Sequence, residues 1–359
     1  MTNRERALAI LRYQPYDRMP VVDFGWWDET RVKWVAEGHL GADDSYRTIQ
    51  DKLGFDFDWG RAIGPATALF PQFEQKVLEV QPDGFIRTLG GDGVIHLTKP
   101  GLQGIPIDVD YTLKTRDDWE TLYKPRLQFT PDRAGDLSEL MDGSRENPLA
   151  LNCGSLYGRM RNWLTVTGVS YLYADDEELY DEIIDTVGEL CCQCVKHALE
   201  AGCKPDYGHF WEDICFKTGP LVAPSVFREK VGPHYMRITS LLAEHGVDIV
   251  SLDCDGCIDA LIPTWLDNGV NTMFPIEVGT WEASIDKWRP SYGKKLRGVG
   301  GMNKTVFAYD YAAIDAEIER LKPLVDGGGF IPCPDHRIAP DAKWENVQYY
   351  CDRMRHIFG

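Results

Sequence analysis

From about residue 148 the chain alternates short apolar runs with longer amphipathic stretches. The runs are LALNCG (149–154), YGHFW (207–211), VDIVSLD (247–253), NTMFPIE (271–277), LRGVGG (296–301) and GGFIPC (328–333). Between them lie helix-length segments at 176–202, 225–246, 258–269 and 311–328, each closing on glycine, as left-handed helix C-caps do. Strand–helix alternation of this kind predicts a parallel sheet. At least six strands in this order favour an α/β fold of the (β/α)8 TIM-barrel type over a doubly wound sheet. No G-x-G-x-x-G follows a strand, so a dinucleotide fold has no support. Upstream, Thr2 and Glu5 form a capping box that predicts a helix to about Tyr13, ended by Pro15. MPVVDFGWW (19–27) predicts a buried strand leading into an aromatic loop. Residues 76–116 read as β-rich, with a hairpin around Gly90–Gly93. The expectation is one domain over 1–359, a barrel with N-terminal elaborations that include this hairpin.

Charge narrows the partners. The chain carries 56 acidic against 38 basic side chains, a formal net charge of −18. It has no cationic excess with which to release counterions from nucleic acid or to hold an anionic membrane. The first residues lack an apolar segment of signal-peptide length, and no run approaches a bilayer span. Three of the ten cysteines crowd one helical stretch as Cys191, Cys192 and Cys194, which suggests reduced thiols in a cytoplasmic protein.

Polar residues cluster just past the predicted strands, where barrel chemistry resides. These are Asn152, Ser155, Tyr157 and Arg159; His209, Trp211, Glu212, Asp213 and Lys217; Asp253 and Asp255; Glu277; Asn303 and Lys304; and Cys333, Asp335 and His336. Asp255-Gly256 is also an ordinary turn pair. Cys254-x-x-Cys257 has redox spacing without a thioredoxin-like setting. Trp26, Trp27 and Trp59 fit either a core or a pocket wall.

Three stretches carry a resemblance: RERALAILRYQPYDRMPVV (4–22), HFWEDICFKTGPLVAPSVFREKVGPHYMRI (209–238) and GGFIPCPDHRIAPDAKWENVQYY (328–350). Together they resemble the uroporphyrinogen decarboxylase superfamily, along nearly the whole chain. Its decarboxylase branch uses paired N-terminal arginines to hold substrate carboxylates. The matching segment here, VVDFGWWDETRVKW, offers Asp23, Asp28 and Glu29 and no arginine before Arg31. The cobamide-dependent methyltransferase branch binds zinc through His-x-Cys after one strand, a Glu after the next, and a Cys after the last. That resemblance implies Asp253, Asp255, Glu277 and His336 as metal ligands, with Cys333 as a substitute. Glu277 follows Asp255 by 22 residues, one helix-and-strand unit.

An Asp/Glu/His set is harder than thiolates and suits activation of an oxygen substrate. The resemblance therefore implies the substrate-activating component of an O-demethylase. Such an enzyme would move a methyl group from a small methoxylated aromatic compound to the corrinoid (cobalamin) of a partner protein. Asp255, His209 and Glu212 would take part in catalysis, the last two by hydrogen bonding to the ring substituents or supplying a proton. Trp26, Trp27, Trp59 and Trp211 would stack on the ring, and Tyr157 and Arg159 would hold a ring carboxylate. Pairing into a homodimer is a further expectation. The rival readings are a carboxy-lyase and a non-catalytic tetrapyrrole-binding paralogue.

Overall fold

The computed structural model describes residues 1–99 and 106–359. Seven strands form one parallel sheet in the spatial order β15-β14-β13-β12-β9-β8-β3. They are β3 (Ala62–Ile63), β8 (Ala150–Gly154), β9 (Tyr207–Trp211), β12 (Val250–Asp253), β13 (Thr272–Ile276), β14 (Arg297–Met302) and β15 (Phe330–Pro334). All six apolar runs read from the sequence are strands here, in sequence order across the sheet. Val250, Leu252, Met273, Ile276, Val299 and Ile331 are all at most 2% exposed. Continuous apolar runs pair this way because both faces of a parallel sheet are covered.

The covering helices include Glu177–Glu200, Gly232–Glu244, Ile262–Asp267 and Tyr311–Asp326. Gly246 and Gly269 follow two of them in the left-handed region, at φ +81° and +85°. A helix over Gly158–Asp175 was not expected from the sequence; Thr165 breaks it at φ 60°, ψ 168°.

The N-terminal part differs in detail from expectation. The Thr2–Glu5 capping box is formed in both halves, but its helix ends at Leu11. Tyr13 then takes φ 57°, turning the chain back. Only Val22–Asp23 of the first apolar run is a strand (β1), paired in parallel with Phe57–Asp58 (β2). A parallel bridge joins Trp26 to Ile338, and the Ile338 N–H donates to the Gly25 carbonyl at 2.9 Å.

The predicted hairpin is part of a four-stranded antiparallel sheet. Its strands are β4 (Lys76–Val80), β5 (Ile86–Leu89), β6 (Val94–Thr98) and β7 (Ile107–Tyr111). Residues 100–105 of the β-rich span lie outside the described residues. A small ribbon of β10 (Cys215–Phe216) and β11 (Gly219–Pro220) follows β9. No helix among the described residues is long and apolar enough to cross a membrane.

Candidate active site

Parallel strands bring their carboxyl ends to one edge of the sheet, where ligands bind in α/β folds. Asp253, the last residue of β12, lies beside Trp211, the last residue of β9, in register. Two residues beyond each strand end come Asp213 and Asp255, and the Asp255 N–H donates to Asp213 Oδ1 at 3.1 Å. Carboxylate oxygens of Asp213, Asp253 and Asp255 all lie within 4.8 Å of one another. Asp213 reaches this point through φ +50°, a left-handed conformation that Asp tolerates better than most residues.

The neighbouring loops are held by fixed hydrogen bonds. Gly256, at φ +90°, approaches the Cys215 carbonyl so closely that a Cβ would meet it at 2.7 Å. Its N–H donates to Glu277 Oε2 at 2.5 Å, and the Thr280 hydroxyl donates to Oε1 at 2.9 Å. Buried Asp335 accepts from the N–H groups of Val278 (2.9 Å), Gly279 (2.8 Å) and Lys304 (3.1 Å), tying together the loops after β13, β14 and β15. His336 Nε2 lies 3.2 Å from Asp255 Oδ2. Its ring stacks on Trp27, with centroids 5.5 Å apart, and meets Phe24 edge-on.

Like charges crowded in a poorly solvated place resist ionisation. Burial, then repulsion from Asp255, pushes Asp213 up to about 6. Asp253 is raised well above the ordinary range by burial and by Asp213 and Asp255, against the opposing Arg337. Glu277 is raised by burial and Asp255. Asp255 Oδ1 and His336 Nδ1 are buried with no hydrogen-bond partner among the described residues. Unpartnered atoms, crowded carboxylates and an imidazole are the donor set of an oxygen-rich divalent-cation site.

The expected ligands therefore meet in part. Asp253 and Asp255 converge, together with Asp213, and His336 reaches Asp255 alone among them. Glu277 stands beside them with both oxygens already accepting hydrogen bonds. Cys333 is fully buried, and its nearest charged neighbours include Asp23 and Asp58 as well as Asp335; burial pushes its thiol well up. The residue not anticipated as a ligand is Asp213. Its position two past a strand end was the available signal.

The other predicted side chains separate into mouth and core. His209 precedes Trp211 by two residues and shares its face of β9, as the strand period requires. Burial pushes its imidazole down to about 4, so it is neutral at pH 7. Glu212 points elsewhere: it accepts from Leu156 N–H (2.8 Å), Tyr157 N–H (3.0 Å), Gly158 N–H (2.7 Å), the Ser155 hydroxyl (3.1 Å) and the Tyr235 hydroxyl. It fills the N-terminus of helix 158–175 and leaves no oxygen free for proton transfer.

Trp59 is fully buried, stacked on Tyr207 and donating to Ser251 Oγ at 3.1 Å. Trp26 stacks on Tyr46. Tyr157 is 3% exposed, and its hydroxyl accepts from Tyr180 at 3.3 Å. These three are core residues. Trp27 and Trp211 remain partly exposed at the mouth. Arg159 and Arg161 both lie over the Trp211 ring, at 5.4 and 5.9 Å from its centroid.

No protein-family profile and no curated protein matches the chain. Among solved structures it is similar to a methyltransferase from Methanosarcina mazei, at 17% identity and TM-score 0.63, with both chains covered fully. It is also similar to a protein described as a vitamin-B12-independent methionine synthase from Listeria monocytogenes, at 13% identity and TM-score 0.40, covering 96% of this chain and 98% of that one. The first likeness shows a shared fold over the full length.

Proposed function

We propose that this chain is a single-domain methyltransferase. It takes a methyl group from a small methoxylated aromatic compound and passes it to a corrinoid carried by a separate protein. The observation that carries this reading is the convergence of Asp213, Asp253 and Asp255 at the carboxyl ends of the strands, with His336 against Asp255. A closed (β/α)8 barrel is part of the proposal. Its support is that β2 stops four residues before β3 and pairs with β1, while the Trp26–Ile338 bridge joins the β1 segment to the chain after β15.

In this reading Asp213, Asp253, Asp255 and His336 hold zinc, with Glu277 alongside. When bound, the cation supplies Lewis acidity to the ether oxygen of the substrate. The chain's own groups do the rest. Trp27 fixes the His336 ring by stacking, and Asp335 fixes the loops that carry Glu277 and Lys304. Neutral His209 offers a hydrogen bond from the floor of the mouth. Lys304, whose ammonium is disfavoured by burial but supported by Asp335, Glu277 and Asp255, is a cationic donor for the departing phenolate.

A porphyrinogen decarboxylase needs cationic clamps for its many substrate carboxylates. Arg31, the arginine of the N-terminal segment, instead donates to the carbonyls of Ala42 (2.8 Å) and Asp44 (3.1 Å). Elemental analysis and methyl transfer to free cob(I)alamin test the proposal together. Stoichiometric zinc, lost in Asp253→Ala and His336→Ala, with methylation of the corrinoid by a methoxylated aromatic compound, is the expected result. Release of carbon dioxide from a porphyrinogen by metal-free protein would replace this reading with a lyase.

A further inference from the structure

Arg159 and Arg161 are the cations in this acidic molecule that most need explaining. Neither makes an ion pair or a side-chain hydrogen bond among the described residues, and the Nε atom of each is buried without a partner. Other partly buried arginines have partners: Arg4 and Arg145 pair with Asp206, Arg18 with Asp56 and Arg320 with Glu317, while Arg126, Arg133 and Arg297 donate to backbone carbonyls. Glu212 and Asp92 face Arg159, and Asp213 faces Arg161, without reaching either. Glu212 is already saturated by five donors. The helix N-terminus at Gly158 is filled by that same carboxylate, so it attracts no second anion.

We propose that Arg159 and Arg161, mounted on the indole of Trp211, bind the carboxylate of an aromatic carboxylic acid substrate. An arginine's planar fork matches a carboxylate in two parallel hydrogen bonds, and stacking on an indole orients the fork while leaving its edge free. Trp211 thus serves as the platform of the arginines, not as a stacking surface for the ring. It stands beside Asp253 in register, so an anion held here lies next to the carboxylate cluster. The cluster also selects the anion. A doubly charged phosphate would meet repulsion from Asp213, Asp253 and Asp255, whereas a carboxylate brings one charge for two guanidinium groups. Trp27 and Phe24, packed on His336, supply the apolar wall for the ring. The substrate class rests on the methyl-transfer reading; the anion site does not.

Calorimetric titration of the full-length protein with benzoate, 3-methoxybenzoate, methoxybenzene and inorganic phosphate separates the two. Benzoate has no methyl group to give, so its binding reports the arginines independently of turnover. Both benzoates are expected to bind, with methoxybenzene at least tenfold weaker. R159Q and R161Q are each expected to weaken benzoate by roughly ten- to hundredfold while leaving methoxybenzene unchanged. No detectable benzoate binding, methoxybenzene as tight as benzoate, phosphate tighter than benzoate, or full benzoate affinity in both variants would overturn the site. If a variant fails to fold, the wild-type comparison of benzoate with methoxybenzene decides. Benzoate binding through the arginines without methyl transfer from 3-methoxybenzoate would leave the anion site standing and remove the methyltransferase.

Discussion

Glu212 and Asp213 are adjacent acids with opposite fates. Glu212 turns into the protein and satisfies five donors; Asp213 turns out, through a left-handed backbone, to join two other carboxylates. Removing a buried acceptor strands its donors, at about 1–3 kcal/mol each in isolation and less than additively together. Glu212→Ala is therefore expected to lose on the order of 3–5 kcal/mol in denaturant unfolding, while Asp213→Asn loses no stability and loses metal affinity. Equal effects of the two substitutions on stability would contradict these assignments. Nothing local in the sequence distinguishes the pair, because four of the donors to Glu212 sit more than fifty residues upstream and the fifth, Tyr235, lies on a later helix. The tryptophans pose the same problem. Trp26 and Trp27 are neighbours, yet one stacks in the core on Tyr46 and the other on His336 at the mouth. Alternation tells that they face differently, not which face is the site.

Elements were more readable than residues. Each of the six apolar runs from residue 149 onward formed a strand, because burial on both faces demands mostly apolar segments. Two-residue strands such as β3 and the β10–β11 ribbon carry no period to detect. Helix 158–175 was missed because Thr165 interrupts it and its apolar residues follow no regular stripe. The turn after β12 shows what an element demands of one residue. Gly256 combines φ +90°, a Cys215 carbonyl that would stand 2.7 Å from an added Cβ, and a hydrogen bond to Glu277. Gly256→Ala is expected to cost about 1–3 kcal/mol through backbone strain and to swing Asp255 away from Asp253. Zinc content and the unfolding midpoint should then fall together; an alanine variant with wild-type zinc content would mean the turn does not position the ligand.

At the scale of the whole molecule, an acidic chain concentrates its least solvated carboxylates where the strands end, and that has a thermodynamic signature. In the metal-free protein the Asp213 carboxyl is raised from 3.8 to about 6. Over that window the folded state keeps a proton that the unfolded chain has released, so stability falls as pH rises, by at most about 3 kcal/mol. His209 acts oppositely. Its imidazole is lowered from 6.5 to about 4, so the unfolded chain takes a proton the folded state refuses. Its contribution is therefore lost as pH falls through the same window. The two slopes oppose each other in the wild type and separate in variants. Chelator-treated Asp213→Asn should gain stability from pH 4.5 to 6.5 more steeply than the wild type, and His209→Gln should lose stability over that range. Zinc should reverse the carboxylate slope, because a cation displaces the protons these groups retain. Its stabilising effect should then be larger at pH 7 than at pH 5. Denaturant midpoints that move in parallel for all three proteins would show that neither group titrates from the position described, and an equal effect of zinc at both pH values would detach the cation from the carboxylates.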